Sequence, residues 1–373
     1  MNIHITIVKK ISECKTVWND FLPPVHHLQY RHLLAFEEAA VEDIENNYVQ
    51  VFEKEKLIGL LYLQQFNFQH KHLNFIKERR SLSSLIKLIL PKQLPLLVCG
   101  HLFRINYPGY YFKNPAHQVY VFDAIEFFIR SNNKYKPRGI LIKDCNDVFI
   151  EQRCRLSGYH FFNGDVTMEI TRKAHWLCFD DYLNDLKKDY HKRAKKILHA
   201  LKPVQIKELD AAAIEERSVD IEKLYWNVVN KQTIKLGTIN ARYFYTLKKD
   251  LQENFELHAV YYQGTMKGFY TFIFYENEME THYIGLDYEA NKNFKLYFNI
   301  LFLGIQKMIE KKYSKLELGR TAKEAKANTG ALPRQIFNYI NLRNPIIQMA
   351  VNYYLKKFNR SQSQLLLNRN PLK

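Results

Sequence analysis

The chain has 373 residues, of which 47% are hydrophobic and 25% charged, and its formal net charge is +17. This composition is that of a globular protein and excludes a disordered or fibrous one, and the length allows two domains with separate cores. The excess of Lys and Arg favours a polyanionic partner such as nucleic acid, a nucleotide or an anionic membrane surface, although a solvated Lys-rich surface would give the same charge.

Cysteines and histidines indicate neither a disulfide framework nor a metal site. The five cysteines are scattered, without a Cys-x-x-Cys pair, which predicts reduced thiols in a cytoplasmic protein. His70 and His72 are the one pair at His-x-His spacing, and we expect no metal there. The N-terminus lacks the apolar segment of a signal peptide, and no apolar run reaches about 18 residues. We therefore expect a cytoplasmic protein, at most peripheral to the inner face of the membrane.

Residues 1–172 predict a mixed α/β domain. The first residues alternate like a strand, two helical stretches follow, and residues 48–63 read as two strands around a charged turn. Residues 70–95 are basic and irregular, and we interpret them as an insertion. The domain is completed by a strand from Leu96, a helix from Ala116 to Arg130 and a strand from Gly139 to Lys143.

Residues 173–373 predict a second domain of the same kind. It opens with a basic amphipathic helix from Tyr182 to Leu201, followed by a strand, two helices and a clear hairpin from Leu257 to Phe274. Next come a strand, a long helix and a short strand, at 280–286, 295–312 and 315–318. A C-terminal helix over 346–358 could lie on a membrane surface, pack on its own domain or contact a twin subunit.

The two hairpins match in their spacing. Val51 precedes Gly59 by eight residues, and Val260 precedes Gly268 by the same interval. Each hairpin is followed by a strand, an apolar helix and a short strand. The repeated order predicts a duplicated α/β domain, each copy with a mixed central sheet flanked by helices.

The residues from Trp176 to about Tyr339 resemble the acyltransferase half of FemABX-like and cellulose-biosynthesis-associated members of the GNAT superfamily. Four pieces carry this resemblance: the basic helix from Tyr182, the hairpin with Gly268, the segment Tyr283-Ile-Gly-Leu-Asp287 and the stretch from Leu316 to Ala331. The resemblance implies two tandem GNAT-like domains that transfer an acyl or aminoacyl group to an amine, with a cell-envelope or polysaccharide precursor as one possible acceptor. The alternative is a catalytically silent tandem-GNAT protein that binds an anionic partner.

The resemblance leaves two donors open, acyl-CoA and aminoacyl-tRNA. In GNAT folds two parallel strands separate, here those at 280–286 and 315–318, and a pantetheine arm can pair with the freed backbone groups. Most acetyl-CoA-binding members carry a glycine-containing loop before the next helix, whereas residues 287–294 contain no glycine and two carboxylates. Many FemABX-like proteins, which also lack that loop, use aminoacyl-tRNA.

Three side chains are candidates for proton transfer. Asp287 follows the central strand, where its carboxylate would take a proton from the acceptor amine or cap a helix. Glu317 alternates with apolar neighbours and faces either a cleft or solvent. Tyr283 would either donate a proton or pack in the core.

The end of the last strand carries the strongest binding candidates. Ligands of open α/β sheets lie at the carboxyl ends of strands. By the resemblance, Arg320 and Lys326 are placed to hold a phosphate or carboxylate, with Thr321 beside them or acting as a helix cap.

Further cations would contact an anionic donor. Lys292 and Lys295 stand next to the acidic residues of 287–294 and would offset their repulsion of a pyrophosphate. Lys192 and Arg193 lie on the basic helix, which is either a binding surface for tRNA or a solvated helix face.

Overall fold

The computed structural model describes residues 3–72, 91–145, 148–161, 166–232, 235, 237–353 and 369–373. The chain divides into two compact units. The first comprises Met1–Asp165, Thr233–Ile239 and Ile336–Arg360, and the second comprises Val166–Gln232, Asn240–Gln335 and Ser361–Lys373. Among the described residues, no helix is both long and apolar enough to cross a membrane.

The described strands are, in chain order, β1 (Ile3–Val8), β2 (Ile44–Glu53), β3 (Lys56–Gln69), β4 (Gln93–Cys99), β5 (Tyr110–Phe112), β6 (Gly139–Ile142), β7 (His160–Phe161), β8 (Val166–Thr171), β9 (Gln205–Glu208), β10 (Phe255–Tyr262), β11 (Thr265–Phe274), β12 (Glu278–Leu286), β13 (Lys315–Gly319), β14 (Leu332–Gln335) and β15 (Tyr339–Leu342). The described α-helices are α1 (Lys15–Phe21), α2 (Tyr30–Glu38), α3 (Tyr120–Ser131), α4 (Val148–Leu156), α5 (Phe179–Asp185), α6 (Lys188–Ala200), α7 (Ala211–Glu216), α8 (Ser218–Val229), α9 (Ala241–Leu251), α10 (Tyr288–Phe294), α11 (Leu296–Glu310) and α12 (Lys323–Ala327). Residues 345–353 are also helical.

The first sheet is built around the β2–β3 hairpin. Its strand order is β1-β2-β3-β4-β6-β15-β7, with β5 paired to β3. Val51 and Gly59 are registered partners in the hairpin, and a bulge follows them. Glycine is needed at position 59 because an added Cβ would lie 2.0 Å from the ring of Phe112. The parallel strands β4 and β6 pair from Leu96 and Gly139 up to the end of both strands.

The second sheet repeats this construction in the order β14-β8-β13-β12-β11-β10-β9. Val260 and Gly268 are registered partners in the β10–β11 hairpin, again with a bulge directly after them. The long helix α11 buries its apolar side against the sheet, and Leu316 is among the residues of this core. The predicted pair of mixed sheets with flanking helices is confirmed.

The division into units differs from the predicted ranges 1–172 and 173–373 in three places: residues 166–172 belong to the second unit, and residues 233–239 and 336–360 belong to the first. Strand β8 lies in the second sheet between β14 and β13, and β15 lies in the first sheet between β6 and β7. Both strands are short, and alternation indicates which side chains are buried without indicating which sheet the backbone joins.

The predicted helix from Tyr182 to Leu201 is instead two helices, α5 and α6. The chain is extended at Leu186, which forms a β-bridge with Leu372, and the Lys187 N–H donates to the Pro371 carbonyl at 2.8 Å. The interruption contains neither proline nor glycine. It is stabilised by residues from the far end of the chain, which helical periodicity does not reveal.

Two sequence interpretations fall partly outside the described residues. Of the insertion at 70–95, the positions 73–90 are not described, while His70–His72 form a short 3-10 helix and β4 begins at Gln93. The C-terminal helix predicted over 346–358 is described as far as residue 353.

Candidate active site

The parallel strands β12 and β13 separate part of the way along their length. They pair only from Glu278 and Lys315 to Glu280 and Glu317, although β12 continues to Leu286. The backbone of β12 beyond Glu280 therefore has no partner in β13. We call the point of separation the vertex. In the first unit β4 and β6 stay paired to the ends of both strands, so this opening belongs to the second unit.

Three carboxylates line one face of the sheet at the vertex. Glu280 is registered with Glu317, and Glu317 with Glu169 on β8. Registered neighbours share a face and lie about 5 Å apart, so these side chains form a row. Arg334 of β14 stands 3.5 Å from Glu169 at the end of the row.

Glu317 is buried in the middle of this row, with 6% of its surface exposed. Its Oε1 accepts hydrogen bonds from the Thr167 hydroxyl and, at 2.9 Å, from the Gly319 N–H. Its Oε2 is buried and has no hydrogen-bond partner among the described residues. Burial raises the pKa of Glu317, and the charges of Glu280 and Glu169 add to this, while the two hydrogen bonds oppose it. A protonated Glu317 is the form that these surroundings favour.

Lys326 on α12 is the cation of the vertex. It is 3% exposed, and its Nζ donates to the Gly319 carbonyl at 3.0 Å. Burial lowers the pKa of Lys326 to about 7, against the opposing influence of Glu317. An amine with such a pKa can exchange a proton near neutral pH, which suits acid–base chemistry.

A β-bulge in β12 follows the vertex. The register between β11 and β12 shifts between Tyr270 and Phe272, and the Thr271 hydroxyl fills the gap. This hydroxyl accepts the Tyr283 N–H at 2.8 Å and donates to the Tyr283 carbonyl at 3.2 Å. Bulges beside active sites change the direction of side chains, and this one consists of His282 and Tyr283 opposite Thr271.

His282 connects Glu280 to helix α9. Its Nδ1 is 2.7 Å from Glu280 Oε1, and its Nε2 is 2.7 Å from the hydroxyl of Tyr243. The side chain of His282 is 1% exposed and that of Glu280 is 11% exposed. The other oxygen of Glu280, Oε2, lies 3.5 Å from the Tyr275 hydroxyl.

Of the three candidates for proton transfer, Glu317 is the one that lies at the vertex. Asp287 caps helix α10, where its Oδ1 accepts the Ala290 N–H at 3.0 Å, and Lys267 lies 3.7 Å from its Oδ2. Asp287 follows the end of β12, roughly 20 Å along the strand from Glu280. A helix cap is thus its structural role. Tyr283 packs edge-on against a group of aromatic rings, namely Tyr225, Tyr243 and Phe244.

The candidates for anion binding at the end of β13 have different surroundings. Arg320 is half-buried, Thr321 is exposed and Lys326 is buried at the vertex. Thr321 does not cap the following helix: its N-cap residue is Ala322, which has a φ of 49° and makes no side-chain cap.

Lys292 lies in the last turn of α10 and Lys295 stands between α10 and α11, and both are exposed. The N-terminus of the long helix α11 is a further candidate site for a donor phosphate, since helix N-termini bind anions. In the structure the short helix α10 precedes it, and Asn291 Oδ1 accepts the Tyr297 N–H in the first turn of α11 at 2.8 Å. An N–H that a pyrophosphate would need is therefore already bonded within the protein.

Lys192 and Arg193 lie on the exposed side of α6, and the Arg193 guanidinium stacks 5.2 Å from the Phe298 ring centre. Helix α6 packs beside α11, where the Asn299 side chain donates to the Ile197 carbonyl at 3.0 Å. The basic helix face is therefore adjacent to the first turn of α11.

One group of side chains elsewhere in the second sheet has the composition of a metal site, namely Glu208, Glu256 and His258. Lys248 lies 2.8 Å from Glu208, and Lys307 lies 3.0 Å from Glu256. These ammonium groups already neutralise the carboxylates, and the group is an ion-pair cluster. The pKa of Glu256 falls to about 2, since the hydrogen bonds from His258 and Lys307 outweigh its burial.

Sequence reasoning missed Glu280, His282, Tyr243 and Thr167. The first two were detectable, because positions 280 and 282 alternate on one face of the same strand. Thr167 is 150 residues from Glu317 in the chain, and no local pattern joins them.

Comparison with known proteins places the fold. No protein-family pattern and no characterised protein matches the sequence. Solved structures do match. FemX aligns with a TM-score of 0.55 at 10% identity, over 94% of this chain and 100% of its own. A tandem GNAT protein from the clavulanic acid biosynthesis pathway gives 0.51 at 10% identity, over 92% and 99%. A conserved protein of unknown function from Bacteroides thetaiotaomicron gives 0.50 at 10% identity, over 90% and 99%.

This chain therefore has the tandem GNAT fold, as its sequence predicted. At 10% identity the similarity concerns the fold alone, and the reaction has to be inferred from the side chains at the vertex.

Proposed function

We propose that this protein is an N-acyltransferase whose reacting groups meet at the vertex of the second unit. The observation that carries the proposal is the separation of β12 and β13 beside two buried ionisable side chains, Glu317 and Lys326. Burial moves the pKa of each toward neutrality, upward for Glu317 and downward for Lys326. Groups of this kind in an opening of the sheet are typical of acid–base catalysis.

The edge of β12 that β13 leaves beyond Glu280 would hold the donor. An extended acyl or aminoacyl arm can add to this edge by backbone hydrogen bonds. A backbone N–H of the same edge, together with the ammonium group of Lys326, would stabilise the oxyanion formed when the amine attacks the acyl carbonyl.

The vertex also supplies the proton transfers. Glu280 takes the proton that the amine nitrogen loses as the new C–N bond forms, and Lys326 gives a proton to the leaving oxygen or sulfur as the old acyl bond breaks. Glu317, whose raised pKa favours its neutral form, lies between them and contributes a hydrogen bond from Oε2. One proton is taken and one is given, so the transfer is balanced.

For the donor, we propose aminoacyl-tRNA over acyl-CoA. The first turn of α11 is bonded internally through Asn291, which weakens it as a pyrophosphate site. The adjacent face of α6 exposes a series of cations suited to an RNA backbone, namely Lys188, Lys192, Arg193, Lys195 and Lys196.

The acceptor is an amine. The carboxylate row would attract it as an ammonium ion, which releases one proton to solvent before attack, so that the neutral amine enters the step described above. A cell-envelope precursor that carries a free amine is the first acceptor to test, since the sequence resemblance implies it.

The test is a transfer assay with purified protein. A mixture of tRNAs charged with radiolabelled amino acids, and in parallel labelled acyl-CoAs, is incubated with amine acceptors, and the label on the acceptor is counted. We expect transfer from aminoacyl-tRNA and loss of transfer in Lys326→Met. The half-buried lysine at the start of the same helix, changed in Lys323→Met, is the matched control and should keep activity.

Three outcomes contradict parts of the proposal. Transfer from acyl-CoA alone would refute the donor, and undiminished transfer by Lys326→Met would refute the site. Salt-sensitive binding of tRNA without turnover of any donor would favour the alternative, a silent tandem-GNAT protein that binds an anionic partner.

A further inference from the structure

A buried line of hydrogen bonds runs from helix α9 to the vertex. It consists of the Tyr243 hydroxyl, the His282 ring and the Glu280 carboxylate, with two contacts of 2.7 Å. Tyr243 is 1% exposed and the side chain of His282 is 1% exposed, so both are shielded from bulk water. Polar groups buried this deeply are retained in cores where they specify one arrangement.

The geometry determines what each partner can do. The histidine ring contacts Oε1 of Glu280. The Tyr275 hydroxyl donates to the other oxygen, Oε2, at 3.5 Å, the outer limit of a hydrogen bond. The ring is further fixed by edge-on contact at 4.5 Å with Tyr283, the other residue of the bulge. Without the bulge, strict alternation would send residues 282 and 283 to opposite faces.

We infer that His282 and Tyr243 are positioning residues for Glu280. The Tyr243 hydroxyl donates to His282 Nε2, which leaves the proton of the ring on Nδ1, and Nδ1–H donates to Glu280 Oε1. The carboxylate is thereby held in one orientation relative to the acceptor amine. This inference rests on the proposed function, in which Glu280 is the catalytic residue.

Kinetics test the inference when the transfer assay is active. Tyr243→Phe and His282→Gln should lower kcat about tenfold to a hundredfold with little change in KM for the donor, because a misdirected carboxylate slows proton removal without weakening donor binding. In His282→Ala, added imidazole should restore part of kcat. Tyr270→Phe, which removes a buried hydroxyl elsewhere in the second sheet, is the control and should keep wild-type kcat.

Wild-type kcat in Tyr243→Phe and His282→Gln, with both variants folded, would overturn the inference. A loss of kcat that tracks a loss of folded protein, without rescue by imidazole, would assign these residues a structural role and overturn it as well.

A second measurement is independent of any substrate. Nitrogen-15 NMR of the wild-type protein reports which ring nitrogen of each histidine carries a proton, and comparison with His282→Gln assigns the signal. We expect Nδ1–H at His282, and we expect Tyr243→Phe to shift the ring toward Nε2–H. A His282 ring protonated on Nε2 alone would contradict the inference even if the protein transferred acyl groups. The absence of transfer from every donor would refute the proposed function and leave the NMR result to stand alone.

Discussion

Lys326 is a lysine whose surroundings favour the loss of its charge. Burial lowers its pKa to about 7, whereas an unfolded chain would titrate this residue near 10.4. Between these values the unfolded state binds more protons than the folded state, so the contribution of Lys326 to folding becomes more favourable as pH rises from 7 to 10.

This difference gives a prediction for Lys326→Met. The stability of the wild type relative to the variant should increase by up to about 1.4 kcal/mol for each pH unit between 7 and 10. Urea unfolding of both proteins at pH 7 and pH 9.5 measures it. Because all other titrating groups are shared, an equal pH dependence in the two proteins would show that Lys326 keeps an ordinary pKa.

Glu317 should show the opposite dependence. Its folded-state pKa is raised, so it stabilises the fold most below about pH 4 and loses that contribution as pH rises through the folded-state value. Glu317→Gln keeps the size of the side chain and does not titrate. We predict that the variant gains stability relative to the wild type between pH 4 and pH 8. If the unfolding free energies of the wild type and the variant changed equally with pH over this range, the raised pKa of Glu317 would be contradicted.

At the scale of elements, the bulge between β11 and β12 depends on a single hydroxyl. Thr271 is fully buried and bonds both the N–H and the carbonyl of Tyr283. Thr271→Val keeps the shape and leaves a backbone N–H unpaired, so it should destabilise the protein by about 1–3 kcal/mol in urea unfolding.

The neighbouring strand supplies the control for this prediction. The Thr281 hydroxyl is buried and has no hydrogen-bond partner among the described residues. Thr281→Val should therefore leave stability unchanged or raise it. Equal losses in the two variants would show that the Thr271 hydroxyl does not support the bulge.

Helices and strands are predicted correctly where the signal lies within a few residues. The prediction fails where contacts with distant segments of the chain determine the structure. The spacing of Val51 and Gly59, repeated at Val260 and Gly268, identifies both hairpins because glycine and alternation act within a few residues. The break between helices α5 and α6 at Leu186 is stabilised by the β-bridge to Leu372, and no residue near Leu186 indicates it in the sequence.

The same reasoning explains what was found of the candidate site. Glu317 and Lys326 could be selected because strand alternation and the family resemblance both point to the end of β13. Asp287 also follows a strand, so the sequence alone does not separate a catalytic role from a helix cap. The hydrogen bond from the Ala290 N–H to its carboxylate identifies it as a cap. The partner of Glu317, Thr167, comes from a strand on the other side of the predicted domain boundary.

At the scale of the whole molecule, part of the positive charge that makes up the net +17 is concentrated on one helix. Helix α6 exposes its cations beside the first turn of α11. If this face binds the RNA backbone, the double variant Lys192→Glu and Lys196→Glu should weaken tRNA binding and reduce its dependence on salt.

Filter binding of labelled tRNA at several salt concentrations measures this effect. The control is a second double variant, Lys54→Glu and Lys56→Glu, which changes two exposed lysines of the first unit. Its net charge equals that of the α6 variant, and its tRNA binding should stay closer to that of the wild type. An equal loss in both double variants would indicate a general effect of net charge without a binding surface on α6.

In the proposed reaction, acyl transfer takes place at the vertex of the second unit, with Glu280 as the proton acceptor. Single-turnover transfer of a labelled acyl group to an amine, compared between wild type, Glu280→Gln and the buried-carboxylate control Glu256→Gln, tests this most directly. We predict that Glu280→Gln folds and loses about a hundredfold or more of the rate, while Glu256→Gln retains transfer. A folded Glu280→Gln protein that transfers at the wild-type rate would contradict the account.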